Sequence, residues 1–221
     1  MQRTLRRFKT LIDHSKYNRF QNKLLIDGKW VEASHGETFA SINPFTEKEI
    51  TRVQKASSHD VDKAVKASRR AFDEGPWPRL DAADRAKIMY RLADLMEKHS
   101  DELAVLESLD NGKPFNDAKN IDVPMAIAVI RYYAGWCDKI HGATIPMVGP
   151  YFTYTREEPV GVCAGIYAWN FPLALATWKL GPALATGCTM ILKPAEQTPL
   201  SALRLGELAL EAGLPNGVLS I

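Results

Sequence analysis

Short apolar runs alternate with longer amphipathic segments along much of this chain, which is the pattern of strands and helices in an α/β protein. The run from Val160 to Tyr167 is mostly apolar, has two glycines and no charge, and is typical of a buried parallel strand. Leu173 to Ala185 has helical spacing, with Pro172 suited to its first position and Gly187 to its end. A second apolar run, Cys188 to Leu192, completes a predicted βαβ unit.

Two hairpins and a helix are predicted ahead of this unit. Leu24 to Trp30 indicates a hairpin around an Asp-Gly turn, and the run from Asn43 to Val53 indicates a second turn and strand. A helix capped by Ser57 or Ser58 follows. One face of this helix is predicted to be buried, formed by Val61, Ala64, Val65, Ser68 and Phe72.

The middle of the chain is predicted to be helical. One helix begins at Asp81, another ends at Asn111-Gly112, and a long one follows Pro124 and ends near Gly142. The sequence from Thr144 to Tyr154 is rich in proline and glycine and then alternates, which predicts an edge hairpin. Because an exposed β-ribbon on a monomer is an aggregation hazard, we expect an oligomer.

Three polar side chains follow the two predicted strands of the βαβ unit. Asn170 comes after the first strand, and Lys193 and Glu196 come after the second. Ligands of such sheets bind beyond the carboxyl ends of the strands, so one interpretation is a nucleotide site. Glu196 would accept from ribose hydroxyls, Lys193 would donate to a ribose or phosphate, and Asn170 would donate to a substrate oxygen. The alternative is that Asn170 caps the next helix and the other two form a solvated pair.

Composition and charge are those of an ordinary globular protein of one or two domains. The 221 residues carry a formal net charge of +2. Residues 1–20 hold six basic residues and one acidic residue, so the remainder holds 22 basic and 25 acidic residues. This mildly acidic body does not favour a nucleic-acid partner. No apolar run in the sequence is long enough to span a membrane.

The basic segment at residues 1–22 has the composition of a mitochondrial targeting peptide. Leu5, Phe8, Leu11 and Ile12 fall at helical spacing among arginines, with Asp13 as the one acidic residue. A basic tail, or a helix that docks a partner, is the alternative. We therefore expect the mitochondrial matrix if the segment is a targeting peptide, and the cytoplasm otherwise.

Three cysteines, Cys137, Cys163 and Cys188, lie in apolar surroundings and form no Cys-x-x-Cys pair. Three unmatched cysteines indicate free thiols in a reducing compartment, where small buried side chains are their expected role. The sequence also has no histidine cluster at metal-ligand spacing, so no metal site is predicted.

A series of motifs resembles the aldehyde dehydrogenase superfamily. The most specific are WNFP from Trp169, WKLGPALATG from Trp178 and KPAEQTPLSAL from Lys193. Upstream blocks, among them LESLDNGKP, RYYAGWCDKIHGATIP and YTREEPVGV, extend the resemblance over about residues 24–221. The similarity is to the NAD-linked tetrameric enzymes that act on acetaldehyde, retinal and related aldehydes, and it covers the amino-terminal part of such enzymes.

The resemblance implies a role for each matching residue. Asn170 would donate to the oxyanion of the reacting aldehyde, with Lys179 supporting the site from the helix. The other implied positions are for cofactor binding, Tyr167, Trp169, Lys193 and Glu196, and for a substrate tunnel, Met125, Phe171 and Trp178. A carboxylate at Glu196 would favour NAD over NADP, because it repels a 2′-phosphate. None of the three cysteines matches the family nucleophile, which is expected beyond residue 221.

The predicted fold class is α/β, a doubly wound parallel sheet of Rossmann-like type that is incomplete within this chain. We expect a basic segment at 1–22, hairpins and helices of the cofactor domain at 23–143, an oligomerisation ribbon at 144–158 and the first part of a dinucleotide-binding βαβαβ unit at 159–221.

Two functions are consistent with this organisation. One is oxidation of an aldehyde to a carboxylic acid with NAD, as the amino-terminal portion of an aldehyde dehydrogenase acting as a homo-oligomer. The other is an inactive half-length subunit with a structural or assembly role, whose cut sheet edge a partner chain covers. A pure nucleotide-binding module is a third and weaker interpretation.

Overall fold

The computed structural model describes residues 20–221, so the part of the predicted targeting segment at residues 1–19 lies outside the described residues. The first predicted hairpin is confirmed: β1 (Leu24–Ile26) pairs antiparallel with β2 (Lys29–Val31). Asp27 and Gly28 both have positive φ, 54° and 71°. This is the turn whose twist matches that of the strands that it joins.

A second antiparallel pair, β3 (Thr38–Ile42) and β4 (Glu49–Gln54), leads into helix α1 (Ser58–Asp73). Ser57 precedes the helix, and both its backbone N–H and its hydroxyl donate to the Asp60 carboxylate, at 2.9 and 2.8 Å. The predicted cap at Ser57 is therefore confirmed.

The predicted buried face of α1 is wrong in part. Val61 and Val65 are 49% and 42% exposed. The residues that α1 does bury are mostly small, namely Asp60, Ala64, Ala67, Ser68 and Ala71. Small side chains let the helix approach the backbone beneath it closely: a methyl group added at Gly217 would lie 2.8 Å from the Ala71 methyl. Close packing, rather than side-chain hydrophobicity, thus selects this face.

The middle helices are α2 (Ala82–Lys98), α3 (Ser100–Asn111), the single turn α4 (Phe115–Asp117) and α5 (Val123–Ala134). A 3₁₀ turn at Trp77–Arg79 precedes α2, and a π-helical turn at Ala118–Asp122 joins α4 to α5. Together these elements surround a core whose largest buried members include Trp77, Met89, Leu92, Met96, Leu103 and Ile130. Of the helices described, none is both long and apolar enough to cross a membrane.

The prediction that the last of these helices continues to near Gly142 is wrong. Helix α5 ends at Ala134, and the next amides turn back to closer carbonyls, Trp136 to Tyr133 O at 3.0 Å and Cys137 to Ala134 O at 3.4 Å. This tighter turn buries Cys137 in the core, 3.6 Å from Met89 Sδ.

The predicted edge hairpin is confirmed as a short ribbon, in which β5 (Thr144–Ile145) pairs antiparallel with β6 (Thr153–Tyr154). Gly149, at the turn between them, has a φ of 92°. The side chains of the ribbon are mostly exposed, including the large apolar ones Ile145, Met147, Val148, Tyr151, Phe152 and Tyr154. A ribbon with this surface is suited to pairing with another chain.

The predicted βαβαβ unit is also confirmed. Its elements are β7 (Val162–Ile166), α6 (Pro172–Thr186), β8 (Thr189–Lys193), α7 (Leu200–Glu211) and β9 (Leu219–Ser220), with the strands parallel in the order β7-β8-β9. Pro172 begins α6, and Gly187 ends it with a φ of 87°, as predicted. Strand β7 is less buried than predicted, with Ile166 74% exposed, because it is an edge strand of the described sheet.

Helices cover both faces of this sheet, which is the doubly wound arrangement. On one face the Thr189 hydroxyl donates to Ser68 O of α1, at 3.2 Å. The next residue along the strand, Met190, points to the other face. On that face a methyl group added at Gly165 would contact Met190 and also Lys179 of α6. Helix α6 in turn crosses α5 so closely that a methyl group at Gly181 would lie 2.7 Å from the Tyr133 ring.

Candidate functional site

The carboxyl ends of β7 and β8 lie side by side, as the sequence predicts for a parallel pair. Ile166 is opposite Lys193 in the register, and the Tyr167 N–H donates to Lys193 O at 3.4 Å. The loop that follows β7 and the loop that follows β8 therefore begin at the same edge of the sheet. Asn170 lies in the first loop and Glu196 in the second.

Lys193 and Glu196 form an exposed ion pair at this edge, with Nζ 2.6 Å from Oε1. The hydrogen bond from the Lys193 ammonium lowers the pKa of the Glu196 carboxyl below its ordinary value. Glu196 is consequently an ionised acceptor at neutral pH. An exposed pair of this kind contributes little to stability, so both groups are free to turn toward a ligand.

Two cavities are lined by Glu196. The first, with a volume of about 530 Å³, is lined by both Lys193 and Glu196, together with side chains of β1, β4 and α1. The second, of about 430 Å³, is lined by Glu196 and Trp169 and also by Asp110 and Thr198. The predicted cofactor residues Trp169, Lys193 and Glu196 thus line two cavities that have Glu196 in common.

Tyr167 differs from the other predicted cofactor residues, because its side chain is buried in the core. Burial, together with the nearby carboxyls of Glu107 and Asp110, raises the pKa of its hydroxyl. No hydrogen-bond partner of that hydroxyl is found among residues 20–221. Its ring is therefore not exposed at this edge, and its role at the cofactor stays a prediction.

Asn170 is exposed on the loop between β7 and α6. The alternative that Asn170 caps α6 is wrong. The residue at the cap position is Phe171, and the N–H of Leu173 donates instead to Glu107 Oε1, at 3.2 Å. The Asn170 side chain is therefore not used to begin the helix, which leaves its amide available to a ligand.

The predicted tunnel residues lie on the two helices that pack together, α5 and α6. Trp178 lies on α6 and Phe171 at the cap position before it, and both are exposed. Met125 is half-buried on α5. Lys179 is exposed on α6, and its Cβ lies above Gly165 of the sheet. The tunnel itself stays a prediction.

Several residues around the site were missed by the sequence interpretation. Four come from the end of α3 and the turn after it, Glu107, Asp110, Asn111 and Lys113, and the fifth, Asp122, ends the π-helical turn before α5. A signal for two of them was present, since Glu107 and Asp110 lie four and seven residues after Leu103, on the face that α3 buries. Acidic residues on a buried helical stripe need partners, and those partners are backbone amides at the site.

Each of the two buried carboxyls accepts a hydrogen bond from a backbone N–H in the first turn of a helix. Glu107 accepts from Leu173 at the start of α6, and Asp110 accepts from the Leu200 N–H at the start of α7, at 2.9 Å. Burial raises the pKa of Glu107 to about 7, although the Leu173 N–H and the charge of Lys113 act in the opposite direction. Burial also raises the pKa of Asp110, and Glu107 adds to that effect.

Comparison with known proteins decides the family. A model of the aldehyde dehydrogenase family matches residues 30–221. The chain belongs to this family. The mitochondrial aldehyde dehydrogenase of Rattus norvegicus is 52% identical over 203 residues, which cover 91% of this chain and 39% of the relative. The mitochondrial benzaldehyde dehydrogenase of Antirrhinum majus is 52% identical over 200 residues, which cover 90% of this chain and 38% of that protein.

Solved structures agree with the family and with the fold. The NAD⁺ complex of an aldehyde dehydrogenase from Bacillus cereus has a TM-score of 0.91 and is 50% identical, covering 95% of this chain and 43% of that one. The predicted α/β nucleotide-binding fold and the family resemblance are therefore confirmed. The chain spans about two fifths of the length of the curated relatives that it matches. The alternative of an inactive assembly subunit has no support from these comparisons over the enzyme.

Proposed function

We propose that this chain takes part in the NAD-dependent oxidation of an aldehyde to a carboxylic acid, as the amino-terminal part of an aldehyde dehydrogenase. The observation that carries the proposal is the arrangement at the sheet edge. An exposed Asn170 amide follows one strand, and the Lys193–Glu196 pair follows the neighbouring strand, in a member of this family.

The residues at this edge fit the adenosine end of NAD. Glu196 is an ionised acceptor for ribose hydroxyls, and Lys193, beside it, is a donor for the same group. A cavity of about 530 Å³ adjoins both side chains. The negative charge of Glu196 disfavours a 2′-phosphate, which supports NAD over NADP. When bound, NAD supplies the acceptor for the hydride that leaves the aldehyde carbon.

Asn170 would act on the aldehyde oxygen. Its side-chain N–H groups are donors, and a preorganised donor stabilises the negative charge that develops on that oxygen. Removal of one such donor typically lowers kcat by about 10²- to 10³-fold. Trp178, Phe171 and Met125 would line the approach of the substrate, and Lys179 would support the site from α6.

None of the three cysteines is suited to attack the aldehyde. Cys137 and Cys188 are buried and Cys163 is half-buried. Burial raises the pKa of Cys137 and Cys163 above the ordinary value of a thiol, so both remain protonated. Because a thiolate is the reactive form, we infer that the nucleophile is another cysteine, outside these 221 residues.

The proposal is tested with the complete reading frame that contains these residues, by following NADH formation from an aldehyde. We expect Asn170→Ala to lower kcat by about 10²- to 10³-fold while the Kd for NAD stays unchanged. Glu196→Gln should weaken NAD binding. Asn116→Ala, which removes an exposed amide on α4, is the matched control and retains full activity. Full activity of Asn170→Ala would overturn the assignment.

Homo-oligomerisation through the ribbon at 144–158 belongs to the same proposal, and so does the location in mitochondria. The exposed aromatic surface of the ribbon supports the first. The basic composition of residues 1–22 supports the second, as do the mitochondrial relatives, although the Bacillus cereus relative is bacterial. Fractionation of cells that express a tagged chain, with and without residues 1–22, tests the location.

A further inference from the structure

Two side chains on either side of a single glycine hold the backbone of the Asn170 loop. Asn111 Nδ2 donates to Trp169 O at 2.7 Å, and Lys113 Nζ donates to Asn170 O at 3.2 Å. Gly112, between them, ends α3 with a φ of 83°. The left-handed turn at Gly112 is what allows residues on both sides of it to reach the same loop.

Lys113 is itself fixed from three directions. Its ammonium pairs with the Asp122 carboxylate, donates to Asn170 O and lies 4.2 Å from the centre of the Phe171 ring. The side chains of Lys113 and Asp122 are only 14% and 3% exposed. A buried ammonium is stable only when its donors are satisfied, and here a carboxylate, a carbonyl and an aromatic face satisfy them.

Asp122 reaches Lys113 from an irregular element. It is the last residue of the π-helical turn Ala118–Asp122, which interrupts the helix from Phe115 to Ala134. Such turns insert a residue into a helix, cost stability and occur frequently at functional sites. This turn has a specific result in the present structure, because the residue at its end carries the countercharge of Lys113.

We propose that Lys113, held by Asp122, is a positioning residue that fixes the peptide of Asn170 and so directs the Asn170 amide toward the substrate oxygen. The inference rests on the proposed function of Asn170. Its physical basis is the precision that such a donor requires, since a displacement of about 1 Å at a reacting group can cost about 10²-fold in rate. A carbonyl that is bound to an ammonium held by two further partners has little freedom to move.

The test uses Lys113→Met in the complete enzyme. This change keeps the length and the apolar stem of the side chain and removes its charge and donors. We expect kcat to fall by about 10- to 100-fold, with the KM for aldehyde and the Kd for NAD nearly unchanged. Lys113→Arg, which restores a cation and its donors, should recover most of the lost activity.

A double variant separates positioning from a general structural role. If Lys113 acts through Asn170, Lys113→Met has almost no further effect on kcat in an Asn170→Ala background. If Lys113 merely stabilises the fold, Lys113→Met lowers kcat by the same factor in the wild-type and Asn170→Ala backgrounds, and the inference is wrong. Should Lys113→Met fail to fold, Asp122→Asn carries the test, because it leaves Lys113 in place without its countercharge.

Hydrogen exchange measured by mass spectrometry gives a readout that does not depend on activity. Lys113→Met should increase deuterium uptake in residues 167–173, whereas Asn170→Ala should not. The control is Lys119→Met, which removes a paired lysine within the π-helical turn itself, one that is bound to Asp101 and Ser100. Lys119→Met should leave kcat and exchange in the loop unchanged, and equal effects of the two methionine variants would contradict the inference.

The outcomes also separate this inference from the proposed function. Failure of the wild-type enzyme to form NADH from any aldehyde, or full activity of Asn170→Ala, overturns the function. Loss of activity in Asn170→Ala together with full activity in both Lys113→Met and Asp122→Asn leaves the function in place and overturns the role of Lys113.

Discussion

The carboxyl group of Glu107 is buried in the core, where it accepts a hydrogen bond from the start of a helix in another part of the chain. Its Oε1 accepts from the Leu173 N–H at the first turn of α6, a position where a negative charge is favourable. Its second oxygen has no hydrogen-bond partner within residues 20–221. The carboxyl is therefore only partly compensated for the loss of water, which is why its pKa is raised to about 7.

This raised pKa predicts a pH-dependent stability. In the unfolded chain Glu107 titrates near 4.5. The folding stability that comes from its raised pKa is therefore fully present below pH 4.5 and is lost as the pH rises to about 7. A difference of about 2.5 pKa units corresponds to about 3 kcal/mol. Glu107→Gln keeps the acceptor for Leu173 and should therefore be about as stable as wild type at pH 4.5, and more stable at pH 8.

Urea unfolding at a series of pH values measures this difference. Glu211→Gln, at the exposed end of α7, is the matched control for the loss of one carboxyl group. Parallel stability curves for wild type and Glu107→Gln between pH 4.5 and 8 would show that the buried carboxyl does not titrate in this range.

At the scale of elements, the end of α3 depends on Gly112 for two separate reasons. Its φ of 83° is unfavourable for any residue with a side chain, and a methyl group there would lie 2.5 Å from Pro44 Cγ. Gly36 has a φ of 66° but open space around it. The two glycines therefore share the conformational requirement, and only Gly112 has the steric one.

Alanine substitutions at the two positions should reveal this difference. Gly36→Ala is expected to lower the free energy of unfolding by about 1 kcal/mol, from backbone conformation alone. Gly112→Ala adds a clash with a rigid ring and should cost about 1–3 kcal/mol more. In a Pro44→Ala background the additional cost should largely disappear. Equal losses at Gly36 and Gly112 would show that the neighbouring ring moves aside freely.

At the scale of the whole molecule, the ribbon of β5 and β6 exposes large apolar side chains that few contacts within the described chain cover. Phe152 is 80% exposed, and its ring lies 6.0 Å from that of Tyr154, which is also exposed. Such aromatic surface is typical of the centre of an interface between subunits.

Phe152→Lys tests whether this surface holds subunits together. We expect the mass in solution, measured by light scattering after size-exclusion chromatography, to fall toward that of a smaller assembly, because a charge in an apolar interface is costly. Phe45→Lys is the control, since Phe45 is 90% exposed in the turn between β3 and β4 and is not part of the ribbon. An unchanged mass for Phe152→Lys, or an equal change for Phe45→Lys, would exclude the ribbon as the main interface.

The sequence by itself determined the features that depend on neighbouring residues. The Asp-Gly turn of the first hairpin, the cap at Ser57, Pro172 and Gly187 at the ends of α6, and the strands on either side of that helix were all predicted correctly, because turn and cap preferences act within a few residues. The position of Lys193 and Glu196 at the carboxyl edge followed from the βαβ order alone.

Only the tertiary structure decided which residues meet across long separations. The bonds from Asn111 to Trp169 and from Leu173 to Glu107 join residues 58 and 66 positions apart, and no local pattern specifies such pairs. The buried face of α1 and the end of α5 were mispredicted for the same reason. Burial depends on what packs against a helix, and close approach between elements favoured small side chains over the more hydrophobic valines.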